Sequence, residues 1–198
     1  IGIRGEGGGS FVAANRAYLG VYASGDFAIR AGGGSIDIEG ASVLSSNNHS
    51  WYHGVALLDD TGMGGEVSTT GSGSIRIVGR SAMGFAMGHS RGLSLHAWGA
   101  GDTLSITSEA GDITLQGTQQ ATVSYALVRG LGADIDHQGQ LDVVSTGGHV
   151  SLTGIVGSSA NTGLALTDAR IAGHDVTLTT DTLSLRSEER RVGKECRS

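Results

Sequence analysis

Proline is missing from all 198 residues, and cysteine and aromatic side chains are scarce, at one Cys and 5% aromatics. Average usage would put roughly ten prolines in a chain this long. A residue without a backbone N–H is kept out of interior strands, so a proline-free chain suits almost continuous strand pairing. The one cysteine, Cys196, has no second thiol to meet, which excludes a disulfide and a multi-thiolate metal site. Helix formers are few, and no apolar run approaches the roughly 18 residues a membrane-spanning helix requires. The one lysine, Lys194, lies close to Cys196.

That neighbourhood differs from everything before it. Residues 186–198 resemble the translation of a common short-read sequencing adapter and are set aside as a non-native tail, expected to be disordered. They hold 5 of the 13 basic residues and 3 of the 7 Glu; the stretch 1–185 keeps 8 basic and 16 acidic groups, a formal charge of 8 − 16 = −8. Nucleic acid and anionic membrane surfaces both require clustered Lys and Arg, so this balance argues against either as a partner.

What the chain has in abundance is glycine, 35 residues of it, placed at the ends of short apolar runs where the backbone needs positive φ or close approach. The runs recur. Ile1-Gly2-Ile3-Arg4-Gly5, Ile36-Asp37-Ile38-Glu39-Gly40, Ile75-Arg76-Ile77-Val78-Gly79, Ile113-Thr114-Leu115-Gln116-Gly117 and Val150-Ser151-Leu152-Thr153-Gly154 start 35, 39, 38 and 37 positions apart. A fixed period of this size is the signature of a solenoid. First and third positions are apolar and, Val78 excepted, second and fourth are polar or Gly, which reads as a strand with one buried and one wet face, ended by Gly.

Two further series accompany the motif. Phe27-Ala28-Ile29, Leu104-Ser105-Ile106 and Leu141-Asp142-Val143 each begin nine positions before it. Gly20-Val21, Gly54-Val55, Gly92-Leu93, Gly130-Leu131 and Gly163-Leu164 follow it after segments of variable length. At the far end, Val176-Thr177-Leu178 reads as a member of the Phe27 series and Leu183-Ser184-Leu185 as a sixth copy of the main motif.

Such short strands are stable only when stacked on neighbours. No Asn-Gly or Asp-Gly dipeptide marks a hairpin, so an antiparallel sandwich is disfavoured. The expected fold is therefore all-β, a parallel β-helix spanning residues 1–185. Reading the repeat of about 38 residues as two coils gives a rod of about 45–50 Å. Insertions fall mainly at 41–53, 80–91, 118–129 and 155–162, between the motif and the next Gly, and variable loops on one face of a solenoid commonly bind partners.

The recurring Gly-Asp-Ile-Thr-Leu style strand (Gly111 to Leu115, with variants at Gly148 to Leu152 and Gly173 to Leu178) and Gly-Val-x-Leu entries such as Gly54 to Leu57 resemble the large exoproteins of the filamentous-haemagglutinin type. The resemblance implies a right-handed parallel β-helix and export through an outer-membrane transporter of the two-partner type. It also implies a secreted or cell-surface location and adhesion to a glycan or protein on a host or neighbouring cell. Nothing matches that family's secretion domain, and Ile1 opens inside a repeat, so the expectation is an internal shaft segment with no family site residue to carry over.

Chemistry is sparse. The seven histidines, His49, His53, His89, His96, His137, His149 and His174, show no convergent ligand spacing, so neither metal nor other cofactor is expected. Asp59-Asp60 and Asp134-Ile135-Asp136 read as wet surface rather than a hydrolytic carboxylate pair. No phosphate-binding loop, nucleophile elbow or His-Glu-x-x-His is present. The candidate recognition residues are His49, Trp51, Tyr52 and His53, read as one loop whose aromatics suit a sugar ring or a protein partner. Two rivals to a non-enzymatic shaft share the fold: a polysaccharide lyase or glycosidase, and the shaft of a contact-dependent toxin delivery protein. Three or more Asp, Arg or His side chains converging in one cleft would favour the enzyme.

Overall fold

The computed structural model describes residues 1–7, 18–42, 51–59, 64–81, 89–97, 101–119, 124–128, 139–156 and 163–186. The adapter-like residues beyond 186 lie outside them. In chain order the strands are β1 (Gly2–Gly7), β2 (Tyr18–Ser24), β3 (Phe27–Ala31), β4 (Ile36–Ser42), β5 (Trp51–Asp59), β6 (Gly65–Thr69), β7 (Ile75–Ser81), β8 (His89–Ala97) and β9 (Thr103–Ser108). They continue as β10 (Ile113–Gln119), β11 (Ser124–Val128), β12 (Gln140–Ser145), β13 (Val150–Val156), β14 (Leu164–Thr167), β15 (Ala169–Ala172), β16 (Val176–Thr180) and β17 (Leu183–Arg186). No helix occurs among the described residues.

Every third strand joins the same sheet. Sheet A stacks β1, β4, β7, β10, β13 and β16; sheet B stacks β2, β5, β8, β11, β14 and β17; sheet C stacks β3, β6, β9, β12 and β15. All pairings are parallel. The chain passes through A, B and C in rotation, the architecture of a parallel β-helix. The repeat is one coil rather than two, because Ile36 pairs with Ile75, Ile75 with Ile113 and Ile113 with Val150, one full repeat apart each time. Six sheet A strands at about 4.8 Å therefore span about 24 Å, half the length expected from two coils per repeat.

The core follows from this register. Ile36, Ile75, Ile113 and Val150 form one internal column and Ile38, Ile77, Leu115 and Leu152 another, facing Leu57 and Leu95 of sheet B and Val67, Ile106 and Val143 of sheet C. Each buried side chain contributes about 1.5–3 kcal/mol. Val78, the exception to the polar rule, is fully buried although strand alternation turns it away from this core.

Three assignments change at the margins. Val176–Leu178 belongs to β16 in sheet A, so it is the sixth main motif, and Leu183–Leu185 belongs to β17 in sheet B. The reason is a short fifth coil: Val150 pairs with Val176, and Asp168 alone connects β14 to β15. Asp168 is the one non-glycine at positive φ (45°) among the described residues. In the fourth coil Leu127, not Leu131, pairs with Leu93 and Leu164, so Ala126 takes the column of Gly54, Gly92 and Gly163. Gly130-Leu131 lies outside the described residues.

The motif glycine does not end its strand; β4 runs on past Gly40 to Ser42. Its function is close approach. A Cβ on Gly40 would lie 2.1 Å from the Gly54 carbonyl oxygen, on Gly79 1.9 Å from that of Gly92, and on Gly154 2.0 Å from that of Gly163. Sheets A and B are thus pinched together, backbone on backbone, beyond the apolar core. Past the pinch the inward column is mostly polar: Ser42, Ser81 and Gln119 are buried in it, with Val156 its apolar member.

The C-to-A corner is the constant one, a short link in every coil at 32–35, 70–74, 109–112, 146–149 and 173–175, and it is built on a hydroxyl column. Ser108 Oγ donates to Gly73 O (2.9 Å) and accepts from Gly111 N (3.0 Å); Ser145 Oγ donates to Gly111 O (2.8 Å) and accepts from Gly148 N (2.9 Å). Each hydroxyl ties a corner to the coil before it. Length varies at both other corners. The A-to-B connection ranges from 8–17 in the first coil to 181–182 in the last, and the B-to-C connection from Asp168 alone to the whole of 129–139, so insertions are not confined to one place.

Candidate functional site

The predicted recognition loop is largely a strand. Trp51, Tyr52 and His53 open β5, where Trp51 pairs with His89, Tyr52 with Tyr18 and Ser90, and His53 with Leu19 and Arg91. The His53 side chain is 1% exposed, which removes it from any surface contact. His49 lies outside the described residues, as do Asp60 and Asp134-Ile135-Asp136. The four residues therefore do not form one exposed loop: three share a strand, and one of those points into the protein.

The middle strands β5 and β8 of sheet B are withdrawn from solvent on both faces. Val55, Leu57, Leu93 and Leu95 point to the core, while Ala56, Leu58, Ser94 and His96, which alternate with them, are buried on the other side. On that second face Arg91 Nη1 lies 3.0 Å from His96 Nε2 and 3.4 Å from Ser94 Oγ, and all three residues are buried. Sequence reasoning missed this group, because regular strand alternation puts residues five positions apart, such as Arg91 and His96, on opposite faces.

The outer faces of sheets A and C carry charge that is matched between coils. Asp37 sits 2.7 Å from Arg76 Nη1 and 4.0 Å from Arg4 Nη2; Glu39 bonds Arg80; and Glu66 accepts from both Arg30 Nε (3.0 Å) and Arg30 Nη2. Hydrogen bonding to Arg80 holds the Glu39 carboxyl below its ordinary range against some desolvation. Arg30 does the same for Glu66, helped by the Ser68 hydroxyl at 2.5 Å, and Glu66 in turn raises the Arg30 guanidinium. Glu39 and Glu66 are held ionised and engaged, which suits ladder stabilisation rather than proton transfer.

One convergence of chemistry-bearing side chains lies at the constant corner near the far end. His149 precedes β13 and Asp175 precedes β16, so both occupy the column that holds Ser35, Ser74 and Asp112 in earlier coils. Asp175 Oδ2 lies 3.0 Å from His149 Nδ1 and 3.2 Å from His174 Nδ1. The two rings stand edge to face with centroids 5.7 Å apart. One donor atom from each residue falls within 4.8 Å of the others, a grouping able to hold a metal ion.

The chain matches no family model, no curated protein and no solved structure. The site is therefore read from its own geometry. The trio sits on an open corner, its side chains 60%, 69% and 65% exposed, not in a cleft. Spacing along the sequence concealed it. His149 and His174 are far apart in the chain, and only the short fifth coil makes that separation one turn. Aligning the sixth motif on Val176 instead of Leu183 puts His149 and Asp175 in one column, the signal that would have revealed them.

Proposed function

We propose that this chain is a non-enzymatic shaft segment of a secreted or cell-surface bacterial adhesin, exported through an outer-membrane transporter of the two-partner type. The supporting observation is the unbroken ladder: coil after coil in constant register, with the outer charges paired between coils and buried hydroxyls tied into corners. Such a unit transmits position along a cell-surface fibre and leaves recognition of a glycan or protein to its variable connections.

The test uses the full chain in two assays. Binding is measured on glycan arrays and intact epithelial or bacterial cells, and cleavage by reducing-end and unsaturated-uronate release from acidic and neutral polysaccharides. The shaft reading expects no cleavage of any polysaccharide, with any binding abolished by replacing 43–50 or 82–88 with Gly-Ser linkers. Catalytic turnover of a polysaccharide would overturn it.

A further inference from the structure

We propose that His149, His174 and Asp175 form a divalent transition-metal site of the zinc class that clips the sixth coil to the fifth. Zinc with two imidazole and one carboxylate ligand has bonds of about 2.0–2.2 Å, so adjacent ligand atoms of a tetrahedron stand ~3.3 Å apart. Two edges of the trio already measure 3.0 and 3.2 Å, and the third is no longer than 4.8 Å. Closing it takes a side-chain rotation at exposed residues, not a backbone movement.

The backbone is already fixed. His149 N donates to Asp112 Oδ1 (2.8 Å), and His149 O accepts from Ile113 N (2.8 Å). Asp175 O accepts from Val150 N (2.9 Å), and His174 N donates to Gly148 O (2.9 Å). Each ligand thus hangs from a ladder hydrogen bond between coils, which is the rigid support a preorganised site requires. Two nitrogens and one oxygen suit zinc and its transition-metal neighbours, whereas calcium and magnesium take sets of six or more oxygens. The fourth position faces solvent and would carry water.

The ion would bear on how firmly β16 stays on β13. In this chain Val176, Leu178, Leu183 and Leu185 of β16 and β17 are between 40% and 63% exposed. Without metal, both imidazoles compete for the same Asp175 oxygen. An ion replaces that competition with three bonds that span two coils and hold β16 on β13.

The test uses the full chain carrying Cys196→Ser, which removes the tail thiol as a competing ligand. Zn2+ is titrated calorimetrically, and Co2+ is followed by its visible absorption. The expected result is one ion per chain, a tetrahedral Co2+ spectrum, and a melting temperature that climbs with Zn2+. His149→Ala, His174→Ala and Asp175→Asn should each weaken binding by at least about tenfold, since loss of an outer-shell partner alone costs about 10–100-fold. Imidazole nitrogen NMR shifts of His149 and His174 provide a readout independent of stability and should move together on Zn2+ addition. Unchanged affinity in the three variants, unmoved shifts, no binding, or preference for Ca2+ or Mg2+ would each overturn the proposal.

Discussion

Glycine at the motif's fifth position is decided by a distance rather than by a dihedral angle. A methyl group on Gly79 would lie 1.9 Å from the Gly92 carbonyl oxygen, and a backbone atom has nowhere to go without moving its strand. Gly79→Ala is expected to destabilise by about 3 kcal/mol or more, whereas Gly34→Ala, where a Cβ meets nothing within 4 Å, should change stability by less than about 0.5 kcal/mol. Urea denaturation of the two variants checks the contrast. Gln119 makes the opposite case. It is 1% exposed, and neither atom of its amide has a hydrogen-bond partner, so Gln119→Leu should stabilise by about 1–3 kcal/mol in the same assay. A loss of stability in that variant would show that the amide is satisfied by water.

At the scale of strands and corners, legibility depends on what each element must bury. The sheet A motif is readable because an alternating strand with a buried face has to repeat apolar residues two apart, and Ile36-x-Ile38 to Val150-x-Leu152 do so without exception. Sheet C is readable only where its first position is large. Gly65-Glu66-Val67 escapes the pattern because Gly65 fits beneath Phe27 and Leu104, whose atoms a Cβ there would meet at 2.7–2.9 Å. One coil reads as two because a third sheet with a weak pattern leaves a gap that looks like loop. Trp51 and Tyr52 read as loop since β5 extends on the far side of the Gly54 pinch, where the apolar alternation stops. The corner hydroxyls are visible only in three dimensions. Ser145→Ala should cost about 1–3 kcal/mol, because the Gly111 carbonyl and Gly148 amide both lose a buried partner. Ser145→Thr should retain most of that stability, since Thr69 fills the same column and donates to Gly73 O at 2.7 Å. Thermal melts of the two variants separate these outcomes.

Across the whole molecule, stability is expected to be graded along the axis and to respond to acid. Amides of β16 and β17 should exchange with deuterium well before those of β7 and β10, whose core side chains are fully covered. Glu39 and Glu66 titrate below the ordinary glutamate value of about 4.3 in the folded chain, so they bind protons more weakly there than when unfolded. Their contribution is complete above that value and is lost as pH falls through the lowered folded values. The melting temperature should therefore hold from neutral pH to about pH 5 and decline below it. Glu66→Gln should show a shallower decline, and high salt should flatten both, since these pairs are largely exposed. A decline unaltered in Glu66→Gln would remove the Arg30 pair from the account.

The glycine pinch between sheets A and B acts as a bulkhead. On one side the apolar columns see closely similar surroundings from coil to coil; on the other, connections as long as 8–17 and as short as 181–182 come and go without disturbing them. Residue substitutions and length changes in those segments are insulated from the ladder, so the molecule offers a row of interchangeable sockets spaced one strand apart, about 4.8 Å. A foreign peptide spliced into 43–50 would be displayed at a fixed height on the shaft, and several such grafts would form a ruler.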